Sequence, residues 1–220
     1  MTGIKILKIV GMLIFSTQAI SFDGVWSGIF DINGHGKYDF TGLVSGKIAT
    51  AYTEKAKVVY EGKFNIKEDN FKWNLSMYLR DGSKFGTAEI KGKIINENIM
   101  SGKWITEPAK DYGNIYLVKY SDNEILDASD IINKNWESYE SQVKHNFLIK
   151  NFKIYGNDSN KCNYYGELIN LNKKIYGINI EIASCGISDG IYNGMAHISK
   201  EKKLTINATN KNFSLFIKLN

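Results

Sequence analysis

The chain has 220 residues, 28 Lys plus Arg against 23 Asp plus Glu, and a formal net charge of +5. With 43% hydrophobic and 13% aromatic residues, a single proline and two cysteines, it is neither a disordered chain nor a collagen-like or disulfide-dense scaffold. Arg80 is the only arginine. The lysine surplus therefore reads as solvated strand faces and not as a nucleic-acid surface, where the planar guanidinium fork is the favoured phosphate grip.

Residues 1–21 read as a signal peptide. Lys5 and Lys8 precede a short apolar run, Ile9 to Phe15, too brief to cross a bilayer of about 30 Å as a helix. Ala19 and Ser21 supply small residues at the −3 and −1 positions, so cleavage is expected after Ser21. No cysteine stands near that point to take a lipid, and no later apolar run is long enough for a spanning helix. A periplasmic or secreted location is the expectation.

From Phe22 to Tyr120 apolar and polar residues alternate between turn signals, which predicts an eight-stranded antiparallel barrel-like domain over 22–120. In GVWSGIFDI one face carries Trp26, Gly28, Phe30 and Ile32; KYDFTGLVSG continues with Tyr38, Phe40, Gly42 and Val44. KIATAYT is expected to face inward through Ile48, Thr50 and Tyr52. KVVYEGKFNI sets Val58, Tyr60, Phe64 and Ile66 on one side, and FKWNLSMYL answers with Phe71, Trp73, Leu75, Met77 and Leu79. A register of Phe64 against Trp73 and Ile66 against Phe71 keeps both apolar faces together. Gly28, Gly42, Gly62, Gly92 and Gly102 fall among the large inward aromatics, where small residues relieve crowding or leave room for a ligand.

SDNEILDASDIINKN (121–135) breaks the period-two rhythm. Ser121 with Glu124 forms a capping-box pattern, and Ile125, Ala128 and Ile132 approach helical spacing, so an acidic helical linker is expected there. The β pattern returns over 136–220, predicting a second barrel or barrel-like domain. There is an internal echo: YEGKF (60–64) resembles YYGEL (164–168), and Trp26 and Trp136 stand near the two starts.

The second half holds both cysteines, Cys162 and Cys185, at the ends of an apparent hairpin. A disulfide is the simplest reading in an exported chain; separate buried thiols and metal or redox chemistry are the alternatives. Tyr176, Ile178, Ile180 and Ile182 mark the core face. Pairing Leu168 with Tyr176 leaves Cys162 opposite Ile182, so a disulfide demands either a bulge between Ile182 and Cys185 or a meeting of the two after the chain has turned at Gly186.

Through IYGNDSNKCNYYGEL, the strand ending IASCG, the YNGMAHIS strand and a final apolar strand, the segment from Trp136 to the end resembles a class of small exported bacterial β-barrel proteins, often lipoproteins and mostly uncharacterised. The first half, through GVWSG and its hairpins, looks more loosely like a lipocalin- or avidin-type barrel. The resemblance implies an exported barrel and an intact Cys162–Cys185 disulfide; it carries no active site, and the chain lacks the lipidation cysteine of the lipoprotein members.

No nucleophile elbow, zinc-protease motif, P-loop or dinucleotide fingerprint occurs. His35 reads as a solvated turn residue, His145 as a strand end, and His197 as pointing out of its own barrel. Asp39, Glu61, Glu89 and Glu181 read as outward salt partners. No catalytic, cofactor or metal residues are assigned. The expected function is a non-catalytic envelope or secreted binding protein, of the inhibitor or ligand-carrying type, whose partner is an envelope or extracellular protein or a small apolar ligand. The alternatives are an enzyme with a site at the cleft between the halves, and an outer-membrane or surface structural protein.

Overall fold

A computed structural model describes residues 22–79, 82–120, 131–138, 142–172, 174–199 and 201–220. The signal-peptide reading of 1–21 lies outside them. Sixteen strands follow one another as an up-and-down antiparallel meander. The first eight are β1 (Gly24–Ile32), β2 (His35–Ser45), β3 (Ile48–Thr53), β4 (Val58–Lys67), β5 (Asn70–Leu79), β6 (Lys84–Asn96), β7 (Ile99–Glu107) and β8 (Tyr112–Lys119). They close into a barrel, with β1 pairing β8.

The second eight are β9 (Lys134–Glu137), β10 (His145–Lys150), β11 (Lys153–Asp158), β12 (Asn163–Asn170), β13 (Ile175–Ala183), β14 (Gly190–Ile198), β15 (Leu204–Thr209) and β16 (Ser214–Leu219). This sheet is nearly closed. A bridge between Ser138 and Leu219, with reciprocal backbone bonds between Glu137 and Asn220, joins its two edges. The chain is thus an all-β protein of two eight-stranded antiparallel barrels. Among the described residues the only helix is a 3-10 turn at Gly186–Ser188. The expected linker helix is corrected where it can be seen: residues 131–133 form a turn and Lys134 begins β9. Its earlier part, 121–130, lies outside the described residues.

Period-two burial builds the first barrel as the alternation predicts. Trp26, Phe40, Phe64, Trp73, Met100 and Leu117 are almost wholly buried on one inner face. Phe64 sits opposite Trp73 and Ile66 opposite Phe71; the Phe64 and Trp73 rings meet edge to face at 5.3 Å, and Phe40 adds a tilted contact to Trp73 at 5.6 Å. Two of the inner glycines are demanded by this packing. A side chain at Gly62 would enter the Asn74 carbonyl, and one at Gly42 would overlap the Trp73 indole. Packing, not ligand space, accounts for both.

Strand β3 departs from expectation. Its core-facing residues are Ala49 and Ala51, whereas Ile48 is exposed and Thr50 and Tyr52 point away from the barrel interior. Both faces of this strand are buried, because its outer side packs on the second barrel, and alternation then no longer marks the inside. The internal echo falls on equivalent elements: Trp26 and Trp136 lie on the first strand of each barrel, Gly62 and Gly166 on the fourth.

The barrels meet through the outer faces of β1–β4 and of β13–β16. Val25, Leu43, Ile175 and Met195 form a small apolar cluster across the seam. Tyr52 stacks on His197 at 6.0 Å and leans on Phe216 at 5.0 Å. Asn207 donates its side-chain N–H to the Ala51 carbonyl at 2.8 Å, Ser214 N–H bonds the Gly82 carbonyl, and Lys218 pairs with Glu54. Each fully buried large apolar side chain in such a seam stabilises by about 1.5–3 kcal/mol.

Candidate functional site

Four places hold the side chains from which chemistry would come: the disulfide end of the β12–β13 hairpin, the inter-barrel seam, the first barrel's interior, and the outer sheet faces.

At the hairpin end Cys162 and Cys185 are joined, with Cα atoms 4.9 Å apart. The register is Leu168 opposite Ile178 and Asn163 opposite Ala183, not Leu168 opposite Tyr176. In that register the step before Asn163–Ala183 sets Cys162 level with Ser184, one residue from Cys185, and the left-handed backbone of Ser184 supplies the local irregularity between β13 and Cys185. Asp158 is folded into the same corner. Its Oδ1 accepts N–H bonds from Asn160 and Cys162 at 2.8 and 3.0 Å, and its Oδ2 accepts the Tyr164 hydroxyl at 2.8 Å. His145 Nε2 lies 4.0 Å from that oxygen.

Burial lowers the His145 pKa, opposed by the Asp158 carboxylate and the Val143 backbone. Burial likewise raises Tyr164, helped by its bond to Asp158. Asp158, Cys162 and Cys185 place their ligand atoms within 4.8 Å of one another. With both sulfurs bonded to each other, neither is the thiolate that a soft metal site uses. The corner is a buried clamp: the carboxylate satisfies the turn's backbone donors, and the disulfide ties the turn to β13.

The seam contains the second histidine. His197 does point out of its own barrel, as expected, but into the first barrel and not into solvent. It is 6% exposed and its Nδ1 has no partner. Burial pushes its pKa down to about 4. Thr50 Oγ1 and Asn207 Oδ1 are buried and unpaired in the same seam. Side chains of the two barrels pack against each other across the seam. His35 is exposed at the start of β2. Of the four strand acids, Glu89 bridges Lys72 and Lys91, which lowers its pKa, and Asp39 caps the turn after β3 through the backbone N–H groups of Glu54 and Lys55.

The interior of the first barrel is filled. The space left among Phe30, Phe40, Tyr60, Ala88, Ile90, Trp104 and Ile115 is about 20 Å³, whereas drug-sized ligands occupy sites of roughly 300 Å³ or more.

The outer faces differ sharply from one another. On the first barrel, the depression over β4–β6 is rimmed by Lys67, Lys72, Lys91 and Lys93, an ordinary charged and solvated face. On the second barrel, a depression of about 510 Å³ crosses β9–β12. Its register rows run Glu137–Asn146–Asn157–Asn163 and Asn135–Leu148–Tyr155–Tyr165. Tyr155 and Tyr165 stand directly opposite each other and are 50% and 51% exposed. No side-chain amide of Asn135, Asn146, Asn157 or Asn163 bonds to a described residue, unlike Asn179 and Asn193 further along, which bond each other at 2.8 Å. Glu137 is the only charged residue lining the depression. The ion pair of Lys153 with Glu167 closes its lower border.

The fold and these surfaces define a class, the all-β double barrel with a filled interior and one amide- and tyrosine-lined outer face. No family model and no curated protein matches the chain.

Proposed function

We propose that the mature chain is a non-catalytic binding protein of the cell envelope or the secreted space that engages its partner through an outer sheet face. The observation that carries this reading is a contrast within one molecule. The first barrel's interior is occupied by its own side chains, while the outer face of β9–β12 leaves two tyrosines half exposed beside four amides that no described residue uses. Exposed aromatics with unspent donors and acceptors mark recognition surfaces more often than the lysine-rich faces that merely keep a sheet soluble. Export rests on the N-terminal sequence pattern. An outer-membrane barrel is disfavoured by mid-strand lysines on outward faces, such as Lys63, Lys91 and Lys103, which a lipid-facing band would have to bury.

The test is co-sedimentation of the labelled chain 22–220 with washed cell envelopes, alongside the Tyr155→Ser/Tyr165→Ser variant. Both substitutions are at exposed positions, so the fold is retained. Saturable binding that weakens by about tenfold or more in the variant is expected. Binding that never saturates, or that is identical in the two proteins, would overturn the reading.

A further inference from the structure

We infer that the β9–β12 face is a binding site for an uncharged polyhydroxyl chain, a neutral glycan, laid across the strands. This rests on the outer-face reading above and specifies the ligand.

Three properties of the face point to that chemistry. The first is charge. In a chain where 23% of residues are charged, the depression is lined by one carboxylate and no lysine; in the row along its lower border Lys153 pairs with Glu167, and Lys150 stands opposite Lys153. The lining itself holds no cation for a polyanion and a single carboxylate for a polycation, and electrostatic mismatch disfavours a charged ligand there.

The second is the type of polar group. A primary amide offers both donors and acceptors, as does each hydroxyl of a sugar, so Asn146, Asn157 and Asn163 can satisfy hydroxyls in either sense. Amides with no partner of their own lose only water on binding.

The third is arrangement. Asn146, Asn157 and Asn163 occupy adjacent strands in one register row, and Tyr155 and Tyr165 occupy the next. Neighbouring strands are about 4.8 Å apart, close to the length of one hexose unit. A glycan running across the strands would therefore meet an amide at each sugar while its apolar ring faces rest on the two phenol rings. Glu137 at the end of the amide row would accept from a terminal or branching hydroxyl. A protein partner would want a drier, more apolar centre with fewer unpaired amides.

The experiment is a titration of the chain 22–220 with cellohexaose, chitohexaose and maltohexaose, followed by calorimetry, with the corresponding disaccharides and dextran sulfate as comparisons. At least one neutral hexaose is expected to bind, about tenfold or more tighter than its disaccharide because several subsites act together. Tyr155→Ser/Tyr165→Ser should abolish that binding, and Asn157→Asp should weaken it by placing a charge between Asn146 and Asn163 in the amide row. Dextran sulfate should not compete. If no neutral hexaose binds, or if binding survives the tyrosine substitutions, the glycan inference fails. Should envelope co-sedimentation still depend on Tyr155 and Tyr165 in that case, the outer-face reading stands and the partner is of another chemistry. Loss of both results would remove the two together.

Discussion

His197 makes the inter-barrel seam sensitive to acid, and the size of the effect can be worked from its surroundings. The ring is buried against Tyr52, with its Nδ1 unpaired, so burial disfavours the charged form and no counter-ion offsets it. Burial holds its pKa at about 4, against 6.5 for the free side chain. Above about pH 6.5 both folded and unfolded chains carry the neutral ring, and the group contributes no pH dependence. Between about pH 6.5 and 4 the unfolded chain takes up a proton that the folded chain refuses, so stability falls as pH falls; below about pH 4 both forms are protonated and the slope ends. Lowering the pKa from 6.5 to about 4 amounts to about 3 kcal/mol. His145 is also lowered by burial and adds to the slope in the same direction, so the two must be separated by substitution. The assay is urea unfolding followed by tryptophan fluorescence, from about pH 8 to pH 4, for the native chain and His197→Gln. Removing the ring shifts stability by a constant through lost stacking, but only the native chain carries the His197 slope. The stability difference between the two proteins should change by about 3 kcal/mol in favour of the variant across that range. Parallel pH profiles would refute the assignment of His197 to a dry, unpaired seam.

Three further outcomes follow from the packing. Replacing Cys162 and Cys185 together by Ala opens a loop with a separation of 23 residues and should cost about 3 kcal/mol by the chain-entropy argument, read from the urea midpoint. Phe64→Ala empties a buried position in contact with Trp73 and Phe71 and should destabilise by about 3–5 kcal/mol, with a shift in tryptophan emission as water reaches the indole. Glu89→Gln removes a surface bridge to Lys72 and Lys91 whose members are 32% to 61% exposed; thermal unfolding should change by less than about 1 kcal/mol, and a larger loss would mean that the first barrel depends on its outer charges.

Much of this architecture was legible because one-sided burial leaves a period-two trace. The Phe64–Trp73 register and the even-numbered core of β13 and β14 follow from which residues must share a face, whereas the β12–β13 register does not, because shifting Leu168 from Tyr176 to Ile178 keeps the same faces together. The seam was not legible from alternation, since a strand buried on both sides has none. A different signal was present. Among the sixteen described strands, only β3 (IATAYT), β14 (GIYNGMAHI) and β15 (LTINAT) contain no Asp, Glu, Lys or Arg, and all three supply residues to the seam. In a lysine-rich chain an uncharged strand is one that has lost its solvent face. That same test would have turned Thr50 and Tyr52 away from the barrel interior and kept His197 out of water. The amide row was hidden for another reason. Asn146, Asn157 and Asn163 each read as an ordinary outward residue, and only strand register places them side by side.

Recognition by an outer face, with the barrel interior sealed, is tested most directly by proton–nitrogen correlation spectra of the labelled chain 22–220 during titration with the neutral hexaoses. The side-chain amide signals of Asn146, Asn157 and Asn163 are expected to shift, while the indole N–H signals of Trp26, Trp73 and Trp104 in the first barrel stay fixed. Shifts of those indole signals with unmoved amides would place the ligand inside the barrel and contradict it.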